Sequence, residues 1–226
     1  MPSQNITVGD ISIAYKQIGK AAAKPIILIT GAGATMDMWN PLLIEKLKSA
    51  NYKVIIFENR WVGQSTVGTK EFSINQFAND TMGLLDALKI NKADVLGWSL
   101  GGFIAQRLAL AHPDKVDNLI LYATSCGGPS DRPTPPEILQ IITNSSMSPQ
   151  ERVQKDIPFL FPPTNWFKAH SDYLNYLPIP KETITQPILL KQLEAATTWK
   201  GTCNALPNII QPTLVIVGTD DDAAPD

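Results

Sequence analysis

Histidine is scarce in this chain: 226 residues contain two, His112 and His170. Cysteine is equally scarce. Cys126 and Cys203 stand far apart and match no metal or redox spacing, so no metal site is expected and a reducing, cytoplasmic setting is the default expectation. Charge of one sign is missing too: 19 Lys+Arg against 21 Asp+Glu leave a net charge of −2. That balance offers no basic footprint for nucleic acid and no polybasic membrane patch. The longest apolar runs, such as Pro25 to Ile29, fall far short of the roughly 20 residues that span a bilayer. The opening MPSQNITVGD lacks the basic segment and apolar core of a signal peptide. Three Asn-x-Ser/Thr triplets, from Asn5, Asn79 and Asn144, mean little without secretion. The reading is therefore no nucleic acid and no membrane, with the oligomeric state left open.

What is present is a hydrophobic content of 44%, ordinary for a globular protein with a real core. The length suits one large domain or a domain with an insertion. Ile11 to Tyr15 alternates like a strand. Ile26 to Ile29 and Val54 to Phe57 are short and continuous, as in strands buried on both faces; Ala93 to Trp98 is the next strand and Val116 to Tyr122 another buried one. Helical stretches separate them. Asn40-Pro41 is an N-cap with proline at the first helical position. Ser73 can cap a helix in which Ile74, Phe77, Ala78, Met82, Leu85 and Leu88 recur at steps of three and four. Leu100 to Ala111 is a short apolar helix ended by His112-Pro113. This rhythm predicts an α/β fold, a mostly parallel sheet with helices on both faces.

The rhythm breaks at Gly127-Gly128. Residues 129–205 are proline-rich, with helix-like pieces at Glu137 to Thr143, Pro149 to Lys155 and Gln186 to Thr197 and no clear strand. They read as a helical insertion into a core formed by 1–128 and 206–226. Strand character returns at Thr213 to Val217, before Gly218-Thr-Asp-Asp-Asp222.

The strongest chemical signal is Gly97-Trp98-Ser99-Leu100-Gly101. Gly-x-Ser-x-Gly is weak alone, but here it follows a buried strand and opens a helix. In that setting the serine sits on a sharp, strained turn with its hydroxyl presented near a helix N-terminus. The glycines on either side let the neighbouring backbones pass. An acyl-transfer site also needs two backbone donors aimed at the oxyanion. One is expected from Leu100. The other is expected from Thr30-Gly31-Ala32-Gly33, at Ala32. That loop could instead be a plain turn; its spacing fits neither dinucleotide nor Walker phosphate cradles. A carboxylate in the 220–222 cluster could orient a histidine, although three adjacent aspartates are often a solvated loop.

With these residues in place the chain resembles the α/β-hydrolase superfamily, especially its esterase, lactonase and cofactor-free haloperoxidase-like members. The resemblance also rests on Asn59-Arg60-Trp-Val-Gly63-Gln-Ser65, Ala111-His112-Pro113, Trp199-Lys-Gly201 and Pro212-Thr-Leu-Val-Ile-Val-Gly218. It implies the α/β-hydrolase fold with a helical cap at 129–205. It implies Ser99 as nucleophile, Ala32 and Leu100 as oxyanion-hole amides, and Asp221 as the triad acid, with Asp131 an alternative acid position. No cofactor is implied. Leu28, Trp98, Phe159, Phe161, Trp166 and Phe167 are expected to shape an acyl pocket or the cap core. The expected activity is hydrolysis of an ester-like bond in a small molecule; the alternative is a non-catalytic protein that binds a ligand or partner. Two departures stand out: Thr30 where relatives often carry histidine, and Trp61 where they usually carry glycine.

The third departure is the base. In this family the histidine follows the acid by one helix and one strand, and the sequence has none after Asp221. His112 lies a full helix of twelve residues from Ser99, roughly 18 Å at 1.5 Å per residue, beyond general-base reach. His170 falls in the expected cap, where the ordinary reading is an exposed cap histidine and the alternative a base supplied from the cap. The expectation is a chain lacking the last strand and helix and truncated before its base, with Thr213 to Val217 left as a bare, apolar sheet edge.

Overall fold

A computed structural model describes residues 2–129, 135–144, 146–148, 151, 155, 178, 184–218 and 221. Among them, seven strands form one sheet: β1 (Gln4–Val8), β2 (Ile11–Ile18), β3 (Lys24–Ile29), β4 (Tyr52–Phe57), β5 (Ala93–Trp98), β6 (Val116–Tyr122) and β7 (Thr213–Ile216). Their spatial order is β1-β2-β4-β3-β5-β6-β7. β1 and β2 are an antiparallel hairpin, and β2 runs antiparallel to β4. All other pairs are parallel. The mostly parallel sheet expected from the rhythm is present. β1 was not foreseen: most of it is exposed, so its sequence carries little apolar alternation.

The continuous apolar strands are buried on both faces because consecutive residues serve opposite layers. Ile27, Ile29, Ile55, Phe57 and Val95 pack with α2 (Ile74–Ala87) and α3 (Leu100–Ala111). Ile26, Leu28, Val54 and Ile56 pack with Ile44 of α1 (Pro41–Ser49) and with Met36 and Trp39. Both foreseen caps form: Asn40 Oδ1 accepts the Leu42 N–H at 2.8 Å, and Ser73 Oγ accepts the Gln76 N–H at 3.1 Å. Leu28, expected beside an acyl pocket, has no exposed surface and belongs to the α1-side core.

The loop after β4 is fixed by a buried arginine. Arg60 donates twice to Asp80 of α2, each bond 2.9 Å long, and its Nη2 donates to Asp10 Oδ1 at 3.1 Å. Burial opposes its charge, but the two carboxylates more than offset this and leave its pKa raised. Trp61 explains why glycine suits the next position: its φ is +64°, in the left-handed region. Its ring meets Phe72 edge-on at 5.7 Å, a contact that offsets part of the strain.

Between β6 and β7 the described residues form α4 (Pro136–Thr143), α5 (Gln186–Thr198) and a 3-10 turn (Cys203–Asn208). Phe159, Phe161, Trp166, Phe167, His170, Asp131 and most of Pro149 to Lys155 lie outside the described residues. Cys126 and Cys203, far apart in sequence and matching no metal or redox spacing, form a disulfide. Spacing could not show this because the chain leaves β6 and returns 77 residues later to the same place. There Thr202 N–H donates to the Cys126 carbonyl at 2.8 Å. The pairing removes the ground on which a reducing setting was expected.

Candidate active site

Ser99 is the single residue between the end of β5 and the start of α3, with φ +52° and ψ −120°. Such a conformation for a residue with a side chain costs roughly 1–3 kcal/mol and persists only where the surroundings enforce it. Here they do. Ser99 N–H donates to the Tyr122 carbonyl at 3.0 Å, while its own carbonyl accepts from Gly102 N–H and Thr124 Oγ. The flanking glycines are sterically required: a Cβ on Gly97 would run into the Gly101 carbonyl, and one on Gly101 into the Ile29 carbonyl. The chain therefore crosses tightly beneath the serine and leaves it half-buried at the head of α3.

The loop after β3 lies against this turn. A Cβ on Gly31 would stand 3.2 Å from Ser99 Cβ and 3.4 Å from the Trp98 carbonyl. Ala32 is half-buried, and its N–H meets no acceptor among the described residues. Leu100, at the first position of α3, likewise has a free N–H, since no side chain caps this helix. Gly33 is different: its N–H donates to Gln192 Oε1 of α5 at 2.9 Å. Thr30 is fully buried and accepts a long bond from Asn59 Nδ2, at 3.4 Å. Trp98 lies beneath the loop with its ring edge-on to Trp39, centroids 6.1 Å apart.

Asp221 emerges beyond β7, half-buried, with its N–H donating to the Gly218 carbonyl at 3.2 Å. Trp98, Tyr122 and Ile216 are in register across β5, β6 and β7, so the loops carrying Ser99 and Asp221 leave the same edge of the sheet. Two strand spacings separate their strands, about 10 Å. His112 stands away from both: it caps the far end of α3, its Nε2 3.5 Å from Asn79 Oδ1. Phe161 and Trp166, expected in the pocket, are outside the described residues, as are Asp220 and Asp222.

Sequence reasoning missed Gln192. Its signal was a polar residue on the helical stripe Ile188, Leu189, Gln192, Ala195, the buried face of α5. A separate cleft of about 440 Å³, lined by Ser73, Arg107, Trp199 and Lys200 among others, sits where α2, α3 and the end of α5 meet, and no residue of the Ser99 turn lines it. No helix among the described residues is long and apolar enough to cross a membrane.

The fold has counterparts among known proteins. A Mycobacterium tuberculosis H37Rv protein named as a non-heme bromoperoxidase, BpoC, is 34% identical over 114 residues, covering 50% of this chain and 42% of that protein. The rhodomycin D methylesterase DauP of Streptomyces sp. strain C5 is 31% identical over 134 residues, 58% of this chain and 44% of that one. The matched stretches thus span less than half the length of these two relatives. The crystal structure of a hydrolase from Pseudomonas aeruginosa PA01 superposes with a TM-score of 0.77 at 26% identity, covering 99% of this chain and 82% of the other. The sequence pattern of the alpha/beta hydrolase fold matches residues 24–165, and with the strand order and the strained Ser99 turn it shows that this chain belongs to the α/β-hydrolase fold family.

Proposed function

We propose that the full protein is a serine hydrolase that cleaves an ester-like bond, in a carboxylic ester, lactone or thioester, through an acyl-enzyme on Ser99. The observation that carries this reading is the enforced conformation of Ser99 near two amides, those of Ala32 and Leu100, that meet no acceptor among the described residues. In the reaction Ser99 Oγ attacks the substrate carbonyl carbon while a base takes its proton. The carbonyl π electrons move onto oxygen, and the Ala32 and Leu100 amides hold that oxyanion. Collapse expels the alcohol or thiol, which takes the proton from the base. Water then attacks the acyl-enzyme by the same route and frees the acid. Asp221 orients and charge-balances the base.

The base itself is not among the described residues. In this reading residues 129–205 form a cap over the site, with Trp98, Phe161 and Trp166 lining the acyl pocket and 1–128 with 206–226 as the core. No metal or organic cofactor takes part. The methyl-ester cleavage in the name of DauP supports the ester class.

The test is intact mass after treatment with a fluorophosphonate, on the protein and on Ser99→Ala. One adduct, absent from the variant, supports an activated serine. No adduct on the folded protein sinks the hydrolase reading for this chain and favours a non-catalytic ligand-binding protein.

A further inference from the structure

α5 turns Ile188, Leu189, Gln192 and Ala195 inward, so Gln192 is the one polar residue on its buried face. It has no exposed surface. Its Oε1 accepts the Gly33 N–H at 2.9 Å, across 159 residues of sequence. That donor fixes which way the amide lies, because a flipped side chain would set N–H against N–H. Nε2 is then left buried with no acceptor among the described residues. An unmet buried donor costs about 1–3 kcal/mol, which an aliphatic side chain of similar volume would avoid. That same side chain would take away the acceptor of the Gly33 N–H, so the acceptor oxygen is what glutamine supplies here. Among the described residues three other buried polar atoms lack a partner: Thr35 Oγ1 and Trp39 Nε1, just after the loop, and Gln211 Oε1, elsewhere in the fold.

The bond has a chemical consequence. It occupies the Gly33 amide, while the Ala32 amide meets no acceptor among the described residues. Leu189 supports the same point sterically, since a Cβ on Gly33 would stand 3.2 Å from Leu189 Cδ1. The strut is anchored at its other end to the nucleophile's helix: Trp199, just after α5, packs on Phe103 of α3 with ring centroids 4.9 Å apart. Loop and serine are therefore held to one common element.

We infer that Gln192 is a positioning residue: by binding Gly33 N–H it orients the loop so that Ala32 N–H faces the oxyanion formed at Ser99. This rests on the serine-hydrolase reading. Gln192→Leu removes the acceptor at nearly constant volume, and Gln192→Met does the same should the leucine variant fail to fold. Two readouts are taken on the folded protein. Hydrogen exchange of the segment 30–35 reports the loop directly. Turnover of a p-nitrophenyl ester reports the chemistry.

The inference expects exchange at Gly33 to rise at least about 10-fold, and kcat to fall about 10- to 100-fold with KM within about twofold, as for weakened oxyanion stabilisation. Gln192→Glu, which keeps an acceptor oxygen, restores turnover at low pH and loses it as pH rises, because a carboxylate there opposes the oxyanion. Unchanged exchange overturns the inference, and so does raised exchange with unchanged kcat. If the unaltered protein takes no fluorophosphonate on Ser99, the hydrolase reading has failed by itself. Exchange alone then decides whether Gln192 holds the loop: a rise supports that role, and no change overturns it.

Discussion

β6 and β7 are parallel neighbours of similar composition with opposite fates. Leu119 and Leu121 of β6 are 0% and 8% exposed, whereas Leu214 and Val215 of β7 are 56% and 59% exposed. Ile120 and Leu214 are paired across the two strands. Strand propensity and hydrogen bonding are therefore common to both, and what separates them is cover. β6 lies between two strands and under α3, while β7 has a neighbour on one side only among the described elements. An aliphatic strand is made a core strand by what packs on it, and local sequence does not state that. The two candidate catalytic residues inherit this difference. Ser99 sits on a turn enforced from several directions, and Asp221 follows the exposed strand.

The largest effect that tests this contrast is a pair of identical truncations. Leu119→Ala is expected to lower stability by about 2–5 kcal/mol, the range for emptying a close-packed leucine site. Leu214→Ala is expected to cost less than about 1 kcal/mol, as a surface substitution. Urea denaturation of both variants measures it. A large loss at Leu214 would show that β7 is covered in solution and would break the comparison. Next in size is the covalent tie beside β6. Converting Cys126 to serine is expected to cost about 2–4 kcal/mol, the usual range for a cross-link closing a long loop. A midpoint unchanged between the oxidised protein and Cys126→Ser would mean that the bond does not form in solution.

The same distinction decides how much was legible beforehand. Ser99 between β5 and α3, the caps at Asn40 and Ser73, and the doubly buried strands are local signals written in consecutive residues, and they read correctly. Cys126–Cys203 and Gly33–Gln192 are not local. Each joins segments far apart in the sequence, and neither has a spacing that could announce it. β1 escaped notice because most of its residues face solvent, leaving Val8 as its buried residue. Trp61 was visible as an oddity, but its reason, a positive φ, is a backbone fact that only the folded loop reveals. For the candidate site, the turn and the loop could be placed from sequence, and the strut behind the loop could not.

The smallest effect concerns acid, and it sharpens the comparison from the other end of the sheet. Asp10 receives Arg60, the Thr69 N–H at 2.6 Å and the Lys70 N–H at 3.0 Å. The Arg60 guanidinium foremost, then these amides, hold its carboxyl far below the usual carboxylate range. A group whose pKa is lower in the folded state stabilises the fold above its unfolded pKa, near 4, and that stabilisation fades as pH falls toward the folded value. Stability should therefore fall from about pH 4 downward. Asp10→Asn should be less stable near neutrality and show a shallower decline below pH 4, measured as urea midpoints between pH 7 and pH 2. The exposed aliphatic side chains of β7 carry no charge and set no such limb. If Asp10→Asn retained the full acid decline, the loss would belong to other carboxylates, with Asp117, lowered by Lys24 and Lys92, the first to examine.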